Sequence, residues 1–235
     1  MREAAATRPS LSQRAAAEGI GTALLLATVV GSGIMGERLS AGNVAIALLA
    51  NSLATGAVLV ALLLAFASIS GAHLNPAVTL VSARESGMSR RDVAAYLFAQ
   101  LVGAFAGVAA AHLMFEAPLF ALSTHARAGA AQGFSEVVAT FGLVAVIQGC
   151  SRTHASLLPF AVGAYISAAY WFTASTSFAN PAVTLARAVT DTFSGIRPSD
   201  VPLFLVAQLA GAGAALGVFR WLRSEPRVTD SREPR

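Results

Sequence analysis

Two short stretches hold the most specific chemistry in the chain. Asn-Pro-Ala-Val-Thr-Leu occupies residues 75–80 and recurs, letter for letter, at 180–185. Asparagine is a favoured helix N-cap, its side-chain oxygen accepting a backbone N–H one turn in. Proline is favoured at the first helical position, where its missing N–H would be an orphan anyway. Asn75-Pro76-Ala77 and Asn180-Pro181-Ala182 therefore read as two helix starts. With the oxygen used as a cap, the amide NH2 of Asn75 or Asn180 is expected to stay free to donate to a passing molecule. Neither helix is long: from Asn75 to about Ala83, and from Asn180 to about Val189, there is room for only two to three turns before Arg84 or Asp191. A bilayer crossing takes about 20 residues.

The elements that must hold these starts are membrane spans. The chain is 55% hydrophobic and 12% charged, far from the balance of a soluble domain. Apolar stretches at about 15–36, 43–67, 92–115, 131–150, 155–175 and 201–222 each approach or exceed a spanning length. The first run is too long for the core of a signal peptide and reads as an uncleaved span. All sixteen basic residues are arginine, and twelve fall on alternate loops and termini that share one side. Only Arg38, Arg127, Arg187 and Arg197 fall on the other. The positive-inside rule then puts both termini, residues 1–14 and 223–235, in the cytoplasm. The tail from Ser224 is polar and reads as disordered. The basic balance thus reflects topology, and no clustered basic face suggests a nucleic-acid partner. Cys150 stands alone and supports neither a disulfide framework nor a metal cluster.

The two halves, about 15–115 and 131–222, repeat one another. Glu18 and Thr22 match Glu136 and Thr140, while Gln100, Gly103 and Gly107 match Gln208, Gly211 and Ala215. Each half holds three spans, and because three is odd the second half must be inverted relative to the first, as in many transport proteins. The Asn-Pro-Ala segments thus enter from opposite faces as re-entrant loops with half-helices, a backbone tolerated at membrane depth only inside protein or beside a water-filled cavity.

Two facing helix N-termini, each equivalent to about half a positive charge, make the midplane hostile to cations. A neutral molecule with oxygens can instead accept from both asparagines. Extended stretches before the caps, with carbonyls of Gly71, Ala72 and His73 in one half and Ser177, Phe178 and Ala179 in the other, are expected to line a single file that replaces the solute's hydration. The residues point to a pore for small neutral polar solutes in a lipid bilayer. No nucleophile, base and orienting acid converge, so neither an enzyme nor a cofactor is expected, and no carboxylate near the motifs suggests an ion-coupled transporter.

Ser70-Gly-Ala-His-Leu-Asn-Pro-Ala-Val-Thr-Leu80, the second Asn-Pro-Ala, six spans and the Glu and Gln-x-x-Gly landmarks resemble the aquaporin, or major intrinsic protein, family. The resemblance implies an all-α membrane protein: a right-handed bundle of six transmembrane helices plus two re-entrant half-helices, assembled as a homotetramer with one pore per subunit. It also implies an outer selectivity filter set by four positions. The family's arginine directly follows the second Asn-Pro-Ala, and here that position is Val183. The others are Thr55, where water channels usually present an aromatic, Ser177, and a span-five residue, Tyr170 or alternatively Ala168.

Losing that arginine removes a fork of donors and leaves a short apolar side chain, so the filter is expected to be wider and less polar. Arg187 starts about 6 Å farther along the half-helix and could compensate only by swinging toward the mouth. Proton exclusion is then expected to rest mainly on the two helix dipoles and the asparagines. Val183 with the approach Ser175-Thr-Ser-Phe-Ala-Asn-Pro-Ala-Val-Thr184 resembles a bacterial aquaglyceroporin branch associated with arsenic resistance. That implies passage of arsenous acid, methylated arsenicals, glycerol-like solutes and some water across a bacterial plasma membrane.

Glu18 and Glu136 are costly in a membrane and are functional by default, as proton carriers for example. The alternative, favoured by their repeat symmetry, is that each accepts hydrogen bonds from the re-entrant loop of its own half. His73 is expected to line the pore or brace its loop, whereas His112, His125 and His154 share no ligand spacing. Gly103-x-x-x-Gly107 and Gly213-x-x-x-Gly217 are both expected to pack inside the bundle.

Overall fold

Eight α-helices and two short 3-10 turns make up the computed structural model, which describes residues 9–224. The expectations for the first eight residues and for the tail beyond Ser224 lie outside these. The first half contains α1 (Leu11–Leu39), α2 (Val44–Ser70), the half-helix α3 (Pro76–Ser86) and α4 (Arg90–Met114). The second contains α5 (Ala130–Thr153), α6 (Leu158–Phe172), the half-helix α7 (Pro181–Arg187) and α8 (Val201–Leu222). Six elements are long and apolar enough to cross a membrane, and there is no strand among the described residues.

Several boundaries differ from the hydropathy reading for local reasons. α1 begins at Leu11 rather than near 15, because Ser10 and Gln13 form a reciprocal capping box. α3 runs to Ser86 and stops at Gly87, whose φ of 70° ends the helix in the left-handed region. α7 stops at Arg187, short of Val189, leaving a half-helix of only 7 residues.

The repeat is visible in the packing. α1 lies against α2 and α4, and α5 lies against α6 and α8, while α2 and α6 join the halves. Each half-helix packs on both α4 and α8 and touches the other half-helix, so the re-entrant segments sit between the halves. Small residues allow the closest approaches. A Cβ on Gly103 would lie 2.1 Å from the Gly19 carbonyl oxygen and one on Gly107 2.2 Å from that of Ala23. In the second half Gly211 is the equivalent, 2.4 Å from the Val137 oxygen. The expectation for Gly213 and Gly217 fails: both face open space, since a register shift of two residues turns a helix face by more than half a turn. Gly56 and Gly163, which no repeat signal marks, meet where α2 crosses α6.

Leu24, Leu53, Phe98, Phe134, Phe160, Val206 and Trp221 are exposed on the outer surface. A soluble protein would not carry so much exposed apolar surface, and this is a multi-pass membrane protein.

Candidate pore and selectivity site

Both Asn-Pro-Ala segments start helices as their sequence dictates. The Asn75 Oδ1 accepts from the Ala77 N–H at 2.9 Å, and the Asn180 Oδ1 from Ala182 at 3.0 Å and Val183 at 3.3 Å. Pro76 and Pro181 take the first helical positions. The amides are not wholly free, however. Asn75 Nδ2 donates to the Ala179 carbonyl and Asn180 Nδ2 to the Leu74 carbonyl, both at 2.8 Å. The reason is that each loop leaves a buried carbonyl oxygen opposite the other cap, and buried acceptors need donors. One amide hydrogen on each asparagine has no protein acceptor among the described residues, and both asparagines line the central cavity.

The loops before the caps are not simply extended. Ala72, Leu74, Ser177 and Ala179 have φ values of 48°, 48°, 51° and 48°, a left-handed conformation that non-glycine residues adopt at a cost of roughly 1–3 kcal/mol each. The two glutamates hold it. His73 and Leu74 donate their backbone N–H groups to the carboxylate of Glu18 at 2.9 and 2.6 Å, and Phe178 and Ala179 donate theirs to Glu136, both at 2.9 Å. Gln100 adds a bond to Glu18 and Gln208 to Glu136. The same glutamines reach Thr79 and Thr184, whose hydroxyls return to the carbonyls of Asn75 and Asn180. This twofold network turns consecutive N–H groups toward the glutamate and leaves loop carbonyls to face elsewhere. It fits the loop-support alternative for Glu18 and Glu136, since each carboxylate is fully buried with both oxygens accepting hydrogen bonds, four on Glu18 counting the Ser70 hydroxyl and three on Glu136.

A single cavity of about 210 Å³ passes both motifs. Gly71, Ala72, His73, Phe178 and Ala179 all line it, as do Thr55, Tyr170, Ser177 and Val183. Ala168 is exposed on the far side of α6, so of the two it is Tyr170 that faces the cavity, together with Leu158, Val162 and Ile166 of the same helix. The Tyr170 hydroxyl lies 3.2 Å from the Thr55 Oγ1, linking α2 and α6 across one side of the cavity. His73 lines the cavity, and its Nδ1 sits 3.2 Å from the Thr79 hydroxyl.

Arg187 also lines this cavity, although it starts a turn beyond Val183. Cα–Cβ bonds in a helix tilt toward its N-terminus, so a long side chain at the end of α7 leans back over Val183. Its guanidinium carbon lies 3.4 Å from the centre of the Phe178 ring, and its Nε donates to the Ser194 carbonyl.

The loop between the halves carries a residue no motif singles out. Arg127 donates from Nε to the Gly195 carbonyl at 2.8 Å and from Nη1 to Ser175, and its guanidinium lies 5.0 Å from the Phe178 ring. Its backbone N–H donates to Asp200 at 2.8 Å. Burial pushes the Arg127 guanidinium down to about 10, so it stays charged at neutral pH. One signal for it exists in the sequence: Arg38, Arg127, Arg187 and Arg197 are the arginines on the arginine-poor side. Each has a fixed partner: the Phe115 carbonyl for Arg38, Asp200 for Arg197, and the loop around Phe178 for the other two.

Two helix starts bonded crosswise inside a six-span bundle agree with comparison to known proteins. A profile described as "Major intrinsic protein" matches residues 5–177 and 151–233. The chain belongs to the major intrinsic protein family. This member is 56% identical over 217 residues to Aquaglyceroporin AqpS of Rhizobium meliloti (strain 1021), covering 92% of this chain and 93% of that one. It is 30% identical over 234 residues to Aquaporin Z of Bradyrhizobium diazoefficiens, covering 90% and 93%. Among solved structures, an aquaglyceroporin from Plasmodium falciparum shares the fold, with a TM-score of 0.68 at 22% identity, covering 89% of this chain and 96% of that one. As a family member the chain is a membrane channel protein.

Proposed function

We propose that the channel passes small uncharged polar solutes passively, chiefly trivalent metalloid hydroxides such as arsenous acid, with methylated arsenicals, glycerol-like solutes and some water. One observation carries the reading: at the outer end of the cavity Val183 and Thr55 present short side chains, with Tyr170 and Ser177 completing the ring. A trihydroxylated solute needs that width, and the hydroxyls of Thr55 and Tyr170 offer it partners. Deeper in, the remaining amide hydrogens of Asn75 and Asn180 offer donors at the midplane, where facing helix starts repel cations. The 56% identity to an aquaglyceroporin supports the same class.

The filter is thus Thr55, Tyr170, Ser177 and Val183, and the single file is completed by the carbonyls before each Asn-Pro-Ala. The channel works as a homotetramer with one pore per subunit, in a bacterial plasma membrane with both termini cytoplasmic. The side rich in arginine supports that orientation. Catalysis is no part of the role.

The test is stopped-flow measurement of water, glycerol, arsenous acid and methylated arsenicals in reconstituted vesicles. Arsenous acid and glycerol fluxes well above protein-free vesicles support the proposal. Flux of water and glycerol without arsenous acid replaces it with a general water and glycerol channel. Uphill movement driven by a pH or sodium gradient sinks the passive reading altogether.

A further inference from the structure

We propose that Arg187 is the charge-selecting residue of the outer constriction, delivering from one turn farther along α7 the guanidinium that Val183 lacks. The inference rests on the channel reading above and deepens it.

Three observations carry it. Arg187 is the only lysine, arginine or carboxylate among the residues that line the cavity, which it shares with Val183, Thr55, Tyr170 and Ser177. The side chain is 2% exposed, yet it forms no ion pair among the described residues. A buried charge without a carboxylate is costly and persists where its field or its donors are used. Finally, its fixings leave its working end open. The Phe178 ring supports the guanidinium face and the Ser194 carbonyl takes the Nε hydrogen. Nη1 and Nη2 have no protein acceptor among the described residues. A guanidinium held from behind, with four N–H bonds unspent beside a cavity, is a fork for solute oxygens.

A purely structural arginine is the rival, bracing the loop through Phe178 and Ser194. A brace would use its terminal nitrogens as Arg127 does, whose Nη1 reaches Ser175 and Thr176. Arg187 leaves them unbonded among the described residues, on a side chain that lines the cavity. Because the fork is set back by a turn, the opening beside Val183 stays wide while the positive charge remains close enough to repel cations. Width and cation rejection, tied to one residue when the arginine follows Asn-Pro-Ala directly, are here divided between Val183 and Arg187.

The experiment compares the unmodified channel with Arg187→Leu, Arg187→Lys and the double variant Arg187→Leu/Val183→Arg in proteoliposomes, reading water, glycerol and sodium or methylammonium flux. In Arg187→Leu the ratio of cation to water flux is expected to rise about tenfold or more, because a unit charge in a low-dielectric pore acts strongly over a few ångströms. Arg187→Lys keeps the low ratio, since the charge remains. The double variant restores it, by returning a guanidinium to the constriction from one turn earlier on α7. Equal loss of all fluxes in Arg187→Leu without rescue in the double variant overturns the proposal in favour of the brace, as does an unchanged ratio. Because the readout is a ratio within variants that still conduct water, its failure is separate from any failure of the metalloid reading, which the unmodified protein decides.

Discussion

Asn75 and Asn180 hold one another's loops: the Asn75 amide donates to the carbonyl of Ala179, next to Asn180, and the Asn180 amide donates to the carbonyl of Leu74, next to Asn75, each at 2.8 Å. Each asparagine therefore does three jobs at once. Its oxygen caps its own half-helix, one amide hydrogen ties the opposite re-entrant loop, and the other hydrogen has no protein acceptor among the described residues. The two halves are joined by the same residues that line the cavity.

Replacing either asparagine should thus damage stability and flux together. Asn75→Ala removes a cap and leaves the Ala179 carbonyl unpaired, at a combined cost of about 2–4 kcal/mol. Asn75→Asp keeps the cap acceptor but sets a carboxylate against that carbonyl. Thermal unfolding in detergent is expected to show a lowered midpoint for both, and an unchanged midpoint for Asn75→Ala would mean the cross-tie contributes nothing.

Glu136→Gln tests the loop-support role. The carboxylate accepts from Phe178, Ala179 and Gln208, and a glutamine would turn an NH2 toward one of those donors. A loss of about 2–4 kcal/mol is expected, with Glu18→Gln behaving alike because His73, Leu74 and Gln100 match these partners across the repeat, the Ser70 hydroxyl being an additional one. A proton carrier would instead lose transport with stability intact.

Val183→Arg places a bulky fork at the filter, next to Tyr170 and Thr55. Glycerol and arsenous acid flux should fall about tenfold or more while water flux falls far less, since solute size decides passage through a narrowed ring. Vesicle swelling and stopped-flow light scattering on the same preparation read both. A uniform loss would point to misfolding.

The glycines predict opposite outcomes by face. Gly107→Val drives a side chain into the Ala23 carbonyl and should destabilise the α1–α4 contact by about 1–3 kcal/mol or more. Gly213→Ala and Gly217→Ala meet nothing within 4 Å, so they should be neutral or stabilise α8 by up to about 1 kcal/mol. Unfolding midpoints of the three variants decide it.

The loops on the arginine-poor side carry an acid-sensitive tie. The backbone N–H of Thr124, and then its hydroxyl, hold the Asp191 carboxyl below its ordinary value. A depressed carboxylate contributes stability above its ordinary pKa and loses it as pH falls through the lower folded value. Exchange of the Thr124 amide hydrogen should therefore be constant relative to its intrinsic rate from about pH 8 to 5, and accelerate relative to it below about pH 4. Asp191→Asn should remove that acid dependence.

Much of this was legible in the sequence because the signals are local or repetitive. Asn-Pro announces a helix start wherever it occurs, since a cap and a missing N–H act within one turn. Glu18 and Glu136 stood out because an ionised group in an apolar span is too costly to be incidental, and the odd span count inverted the second half by arithmetic alone. The choice of Tyr170 over Ala168, the left-handed backbone at Ala72, Leu74, Ser177 and Ala179, and the outward face of Gly213 and Gly217 depended on where neighbouring elements came to lie. Arg187 shows the division best. Sequence spacing places its Cα a full turn beyond Val183, and that is where it is; only the tertiary structure brings its side chain back, because Phe178 in the loop before α7 and Ser194 in the loop after it give the guanidinium a seat at the cavity wall.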